Sequence, residues 1–176
     1  AFAGGGISRI TLANNLEQEK SRSFSSSINY DKIADHYITG ITLEGFYTKL
    51  DNVFYLQPIG NDDFGDLFEK RNGSGATVKG LNIELRLNYD KKIQIEAGYT
   101  IQSSLYDEAV QASQELETRN TFMRTPKMYG YGVLSITPND KFYAIFNIVY
   151  TGQMDIIHFA GSNNQLVDEY VTTENF

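Results

Sequence analysis

Strict alternation of apolar and polar residues is the feature that most limits how this chain can fold. Between Leu81 and Tyr89, leucine, isoleucine or tyrosine occupies every second position, and asparagine, glutamate or arginine occupies the positions between them. Side chains of a β-strand point alternately to its two faces, so all the charges of this segment fall on one face. The pattern predicts a strand with one apolar face and one polar face.

The alternation recurs in further segments that are joined by short polar turns. Three hairpins are predicted: 23–30 with 37–50, 81–89 with 93–105, and 128–137 with 141–152. Their turns contain residues that favour tight reversals, such as Asp, Asn and Pro. Because short links join antiparallel neighbours, these six strands should pair in chain order without a parallel crossover. The first and last of them are expected at the two edges of the sheet.

The connections between strands alternate between short and long. The links 51–74 and 106–127 are much longer than the hairpin turns and are rich in Asn, Asp, Glu and Gly. An outer-membrane barrel has short turns at one end and long loops at the other, and its strands need about 9–11 residues to cross the bilayer. The strands 37–50 and 93–105 are long enough. A helical turn is predicted within 107–116, where the helix formers Glu, Ala and Gln accumulate.

These patterns predict an all-β fold, an antiparallel up-and-down meander that forms a section of a transmembrane β-barrel. Its apolar positions should form one outward band. Glu84, Arg86, Glu96 and Gln102 share the polar face, where they would line a lumen or, as the preferred interpretation, form hydrogen bonds to a plug inside the barrel. The predicted band consists of Leu81, Ile83, Leu85, Leu87, Ile93, Ile95, Ala97 and Ile101. Because a section of a barrel has two unpaired edges, a closed monomeric core is not expected.

Composition argues against several other functions. The net charge of −7 does not suit a nucleic-acid partner, which requires clustered Lys and Arg. The absence of cysteine excludes disulfides and thiolate metal sites. His36 and His158 have no triad or metal-ligand partners nearby in sequence, so we expect no enzyme, no cofactor and no metal site. The segment 61–66 has three carboxylates, but too few ligands for Ca²⁺, and a solvated acidic loop is the preferred interpretation.

Short motifs follow one another along most of the chain. They include Asn15-Leu16-Glu17-Gln18-Glu19-Lys20-Ser21, Gly45-Phe46-Tyr47-Thr48-Lys49-Leu50-Asp51-Asn52, Gly80-Leu81-Asn82-Ile83-Glu84-Leu85, Tyr129-Gly130-Tyr131 and Tyr150-Thr151-Gly152. In this order they resemble the distal barrel of TonB-dependent outer-membrane receptors, particularly those of the Bacteroidetes type. Gln18 stands where the family usually has Pro, and Asn82 stands where it often has Glu.

The resemblance implies that residues 1–176 are part of a barrel of about 22 strands whose interior is closed by an N-terminal plug. The plug and the closing strands are expected outside these residues. The resemblance further implies a bacterial outer-membrane location, contact with membrane lipid, and import of a nutrient complex such as an iron–siderophore or cobalamin. Energy for import would come from the TonB system through the N-terminal region.

Ligand capture is expected in the long loops. They combine aromatic surface with hydrogen-bond donors, which suits large chelates. The candidates are Tyr55, Phe64, Phe68, Arg71, Arg119, Phe122 and Arg124. For Arg71 and Arg124 a structural role is at least an equal alternative, because they begin the family-like motifs Arg71-Asn72-Gly73-Ser74-Gly75-Ala76 and Arg124-Thr125-Pro126. Two other classes of protein stay open at this point: a small complete outer-membrane barrel of porin or adhesin type, and a soluble β-sandwich binding module.

Overall fold

The computed structural model describes residues 9–62, 65–112, 116–158 and 169–176. These residues form twelve β-strands. The strands are β1 (Arg9–Leu12), β2 (Lys20–Ile33), β3 (Tyr37–Asp51), β4 (Phe54–Asp62), β5 (Gly65–Asn72), β6 (Gly75–Tyr89), β7 (Ile93–Val110), β8 (Arg119–Thr121), β9 (Met128–Asn139), β10 (Phe142–Thr151), β11 (Asp155–His158) and β12 (Glu169–Thr172). None of the described residues belongs to a helix long and apolar enough to cross a membrane.

Six long strands form one antiparallel sheet in chain order. The order is β2, β3, β6, β7, β9, β10, with β8 paired to the distal part of β7. The three predicted hairpins are therefore confirmed, and β2 and β10 are the edges as predicted. The links between β3 and β6 and between β7 and β9 leave from the same end of the sheet, which we call the loop end. The opposite end, with the hairpin turns, is the turn end.

The strand register confirms the apolar band. Leu85 lies between Ile41 of β3 and Ala97 of β7. Two residues nearer the loop end, Ile83 and Tyr99 are also direct partners. Because directly opposed residues share a face, the band continues across the whole sheet. Its members beyond the predicted set are Phe24, Ile28, Tyr30, Ile41, Leu43, Tyr47, Tyr99, Leu134, Phe146, Ile148 and Tyr150. We call this surface the outer face.

On β2, β3, β6 and β7 the other face is mainly polar and hydrogen-bonded across strands, whereas on β9 and β10 it carries apolar residues such as Tyr131, Ile145 and Val149. The Asn82 amide donates to Glu44 at 3.1 Å and its oxygen accepts from the Thr100 hydroxyl at 2.9 Å, which links three neighbouring strands. Arg86 approaches Asp31 at 3.4 Å. The residues predicted to line a lumen, Glu84, Arg86, Glu96 and Gln102, share this inner face, as the register requires. Charges are thus kept away from the central part of the apolar band.

The sheet has almost no buried core. Among the described residues, the buried hydrophobic side chains are Val53 and Ala76, whereas Leu85 is 49% exposed and Ile148 is 70% exposed. A soluble sandwich would bury one face of such a sheet against a second sheet. The exposed outer face therefore fits a section of a barrel wall and argues against the β-sandwich alternative.

The long links contain strand pairs that were not predicted, and they contradict one prediction. The link 51–74 contains the β4–β5 hairpin, and β1 adds to β5 in parallel register, so the described strands are not all antiparallel. The rule against parallel neighbours applies to strands joined by short links, whereas β1 and β5 are far apart in sequence. The predicted helical turn is also absent from 107–110, because these residues extend β7 and Val110 pairs with Arg119. Pairing between strands here outweighs helix propensity.

One glycine of the sheet lies in close contact with two tyrosine rings. On the outer face, Gly130 of β9 lies between Tyr99 and Tyr150, whose rings stack across it with centroids 6.2 Å apart. A Cβ atom at Gly130 would come within 2.8 Å of the Tyr99 ring and 2.7 Å of the Gly98 carbonyl oxygen. Only a residue without a side chain permits this contact.

We predict that Gly130→Val destabilises the intact protein by about 1–3 kcal/mol, because the added side chain must displace a ring and a backbone carbonyl. Gly45→Val is the matched control, since a Cβ atom at Gly45 of β3 has no neighbour within 4 Å. Chemical unfolding of both variants measures the difference. Equal stability of the two variants would contradict the steric role of Gly130.

Candidate functional site

The loop end of the sheet gathers most of the residues that were predicted to capture a ligand. They occur in two groups: one on the β4–β5 hairpin, and one around β8, β11 and β12. Phe64 and Asp63 lie outside the described residues, and so does part of the acidic segment considered for Ca²⁺. Within the described ranges, no three His, Asp or Glu side chains are grouped as they would be in a metal site.

On the β4–β5 hairpin, Tyr55 and Arg71 are direct cross-strand partners. Their side chains therefore share one face of the hairpin, where Arg71 also forms an ion pair with Glu69. Phe68 lies an odd number of residues from Arg71 along β5, so it points to the opposite face. The structure thus brings Tyr55 and Arg71 together and separates Phe68 from them.

A polar network holds the base of this hairpin. The Asn72 amide donates to the carbonyl oxygens of Glu17 at 2.9 Å and Asn52 at 2.7 Å, and its own oxygen accepts from the Glu17 backbone at 2.7 Å. The Glu19 carboxylate accepts from the backbone nitrogen of Phe54 at 3.2 Å. The segment before β2 is thereby tied to the start of β4 and the end of β5.

The second group is centred on Arg119 at the start of β8. Its guanidinium lies over the Tyr170 ring of β12 at 3.9 Å from the centroid, and it approaches the Asp155 carboxylate of β11 at 3.9 Å. The Tyr170 hydroxyl donates to the backbone carbonyl of Glu117 at 2.6 Å. A planar cation over an aromatic face is attracted by the ring's negative π surface. Arg119 therefore connects the β7–β9 link to the β11–β12 pair.

Phe122 and Arg124 lie beside this centre but make different contacts. The Phe122 ring contacts the Tyr106 ring, with centroids 4.4 Å apart. Arg124 adopts a positive φ of 57°, and its backbone nitrogen donates to the Asp155 carbonyl oxygen at 2.7 Å. Arg124 is thus held in place by its backbone. This agrees with a structural role for Arg124 rather than a role in ligand capture.

A cavity of about 380 Å³ opens between these elements. Phe122, Asp155 and Thr121 contribute to its lining, together with residues of β7 and the chain after β10 and β12. The Thr121 hydroxyl oxygen is buried without a hydrogen-bond partner among the described groups. Leaving a buried hydroxyl without a hydrogen bond costs free energy.

Two tyrosines of this region have altered acidity. Burial raises the pKa of Tyr106, and the nearby Glu19 carboxylate raises it further. Burial also raises the pKa of Tyr170, where the Arg119 cation acts in the opposite direction and Glu117 adds to the rise. Both phenols therefore stay protonated at neutral pH and can donate hydrogen bonds.

Sequence reasoning missed three residues that complete the second group: Tyr106, Asp155 and Tyr170. Tyr106 was placed at the start of the link 106–127, but β7 continues to Val110 and brings the Tyr106 ring beside Phe122. Asp155 and Tyr170 belong to the β11–β12 pair, whose strands are not joined by a short hairpin turn that could be recognised in the sequence. The local signal in 155–158 was limited to the adjacent residues Ile156 and Ile157, since isoleucine has a high strand propensity.

The sheet has two different faces, its strands pair in chain order, and its connections are short at one end and long at the other. These features define the chain as a section of a β-barrel wall. The family model described as TonB dependent receptor-like, beta-barrel, matches residues 2–175. The chain therefore belongs to the TonB-dependent receptor β-barrel family.

One solved structure supports the same fold. The chain is similar to the siderophore receptor PirA from Acinetobacter baumannii, with a TM-score of 0.53 and 14% sequence identity. The match covers 89% of this chain and 24% of that receptor, so the chain spans about a quarter of the length of the receptor it matches. No curated protein sequence matches the chain significantly.

We predict that Asn72→Ala loosens the hairpin base, because three hydrogen bonds are lost and three backbone groups, the Glu17 N–H and the carbonyl oxygens of Glu17 and Asn52, lose their partner. A cost of about 1–3 kcal/mol is expected. Backbone amide exchange should accelerate in β4 and β5 but remain unchanged at the centre of β6. Asn147→Ala on β10 is the control, since Asn147 is exposed and has no hydrogen bond among the described side chains. Unchanged exchange in β4 and β5 would contradict this role of Asn72.

Proposed function

We propose that this chain is part of the barrel of a TonB-dependent receptor that imports a nutrient complex across the bacterial outer membrane. The observation that carries the proposal is the family match over residues 2–175, on a sheet whose outer face carries an apolar band across the strands. The barrel would contact membrane lipid through this face, and TonB would act through an N-terminal region. Membership in a receptor family also supports a role without catalysis.

An iron–siderophore is the preferred ligand class. The loop end combines arginine cations with aromatic rings, as in the Arg119 and Tyr170 pair and the Tyr55 and Arg71 pair. Ferric chelates are large and often carry aromatic or anionic groups, so cation–π contacts and charge-assisted hydrogen bonds suit them. The similar PirA structure is a siderophore receptor, which agrees with this choice of class. A cobalamin-type ligand is the alternative that the experiment must distinguish.

Uptake by the full-length receptor tests this proposal. A strain that lacks the receptor gene should lose uptake of one labelled ferric siderophore, and the full-length gene should restore it. Arg119→Ala should raise the ligand concentration needed for half-maximal uptake, by about 5-fold or more, because a stacked cation is removed. Lys141→Ala at the turn end is the control. If the receptor restored uptake of labelled cobalamin and not of the ferric siderophore, the ligand class would be cobalamin. If it restored uptake of neither compound, the proposal would be contradicted.

We further predict that Leu85→Arg blocks assembly into the outer membrane. Leu85 lies in the middle of the apolar band, 49% exposed, and an arginine at the midplane of a lipid-facing surface costs about 2–4 kcal/mol. Fractionation of outer membranes and the heat-dependent gel mobility of folded barrels measure assembly.

Two controls accompany this variant. Leu85→Ile keeps the apolar surface and should assemble normally. Glu84→Leu changes the neighbouring inner-face residue and should also assemble. If Leu85→Arg assembled normally while Glu84→Leu failed, the assignment of the two faces would be reversed.

A further inference from the structure

The three-stranded sheet at the loop end has two different faces. Its strands lie in the order β1, β5, β4. The register assigns side chains to each face, because directly opposed residues point the same way. One face is mainly apolar, and we call it the loop-sheet face. Its apolar members are Ile10, Leu12, Phe54, Leu56, Pro58 and Phe68. The opposite face is more polar and includes one row formed by Thr11, Glu69 and Gln57.

The loop-sheet face lies on the lumen side of the wall. The Asn72 side chain belongs to this face and binds the backbone of Glu17, so the segment before β2 crosses the hairpin base on this side. The Glu19 carboxylate, two residues further along that segment, lies near the Tyr106 phenol, a side chain of the inner face of β7. The loop-sheet face therefore continues the inner face beyond the loop end of the main sheet.

The exposed part of the loop-sheet face is aliphatic. Leu12 is 64% exposed, Ile10 is 56% exposed and Leu56 is 41% exposed. The two phenylalanines of the face are half-buried, and the Lys70 ammonium group covers the Phe54 ring at 4.3 Å from its centroid. An aromatic ligand needs a free ring on which to stack. A flexible alkyl chain therefore suits the exposed branched side chains better than a planar ring does.

The three exposed aliphatic side chains form a short strip. Leu12 and Leu56 flank Lys70 in one row, and Ile10 lies one row nearer to the hairpin tip. With strands about 4.8 Å apart and alternate residues about 6.8 Å apart, Ile10 and Leu56 are separated by roughly 12 Å at their Cα atoms. A medium-length alkyl chain can cover this distance. Its binding would be favourable in proportion to the apolar area that it removes from water.

Lys70 places a positive charge in the middle of the strip. Among the described side chains of the loop-sheet face, no other carries a charge. Lys70 forms no ion pair with any described residue. The carboxylates of the segment that crosses the hairpin base are already hydrogen-bonded, Glu17 to the Asn52 amide and Glu19 to the Phe54 backbone. The Lys70 ammonium group can therefore bind an anion beside the strip.

We propose that the loop-sheet face binds the alkyl chain of an acylated nutrient complex, with an anionic group of the complex at Lys70. This inference rests on the proposed function and narrows its ligand class to amphiphilic compounds. Exposed apolar patches of this kind mark binding sites. The lumen-side position identifies the occupant as a compound that enters the barrel, since a lipid of the surrounding bilayer meets the outer face.

Photolabelling of isolated outer membranes that contain the full-length receptor tests this inference. The probe is decanoic acid with a diazirine near its methyl end, and mass spectrometry identifies the labelled peptides. Peptides of β1, β4 and β5 should be labelled. Leu12→Ser/Leu56→Ser should raise the probe concentration for half-maximal labelling by about 5-fold or more, because two apolar contacts are lost. The control Thr11→Ser/Gln57→Ser alters the matching row of the opposite face and should behave like the unmodified receptor.

The charge and the shape of the ligand are tested separately. Lys70→Glu should raise the half-maximal concentration by about 5-fold or more, whereas Lys70→Arg should leave it unchanged. Unlabelled decanoate should compete with the probe, whereas decyltrimethylammonium and benzoate should compete poorly. Equal competition by decyltrimethylammonium would overturn the assignment of an anionic group. Equal competition by benzoate would overturn the assignment of an alkyl chain.

Two internal controls accompany these measurements. Peptides of the apolar band on β10 report probe that is dissolved in the bilayer, and their labelling should be equal in all variants. Heat-dependent gel mobility verifies that each variant is folded. The inference is overturned if the peptides of β1, β4 and β5 are not labelled, or if the two double variants are labelled alike.

The outcome is separable from that of the proposed function. A receptor that imports a ferric siderophore or cobalamin, but does not bind the decanoate probe at the loop-sheet face, would contradict this inference alone. A receptor that binds the probe at this face but imports neither nutrient would contradict the transport proposal alone.

Discussion

The backbone ladder between β3 and β6 is the constraint on which the rest of the structure depends. It pairs Tyr37 with Tyr89 at the turn end and Asp51 with Gly75 at the loop end, without a bulge. A shift of one residue would transfer every side chain of a strand to the other face. Leucines of the shifted strand would then enter the polar side, and its glutamate, Glu44 on β3 or Glu84 on β6, would lie in the apolar band. The continuous register thus keeps the apolar band on one face of the sheet and the polar network of Asn82 on the other.

Much of this architecture was predictable because its signals are local. The alternation in 81–89 and 93–105 has a period of two, and the short turn between them leaves only one way to pair the segments. The edges could also be assigned, since strands joined in chain order leave the first and last unpaired. The β1–β5 pair and the strand character of 107–110 were not predictable in this way, because both depend on partners distant in sequence.

The candidate site was predicted only in part, for the same physical reason. Composition alone selected Arg119 and Phe122, since loops rich in aromatic and basic residues suit ligand capture. The ring that stacks on Arg119 belongs to Tyr170, about fifty residues away, and comes into place only when β11 and β12 pair. Conversely, Phe68 has the right chemistry but lies on the other face of its hairpin from Arg71. Residue type thus suggests candidates, whereas the register decides which of them meet.

The two tyrosines that stack across Gly130 have a mechanical consequence. Hydrogen bonds in a sheet connect each strand only to its immediate neighbours, so strands two apart are normally coupled only through the one between them. Here Tyr99 of β7 touches Tyr150 of β10 directly, over a glycine on β9. Sliding β9 along its neighbours would have to separate these rings or drive a larger residue between them. The stacked rings therefore resist sliding of β9 relative to β7 and β10.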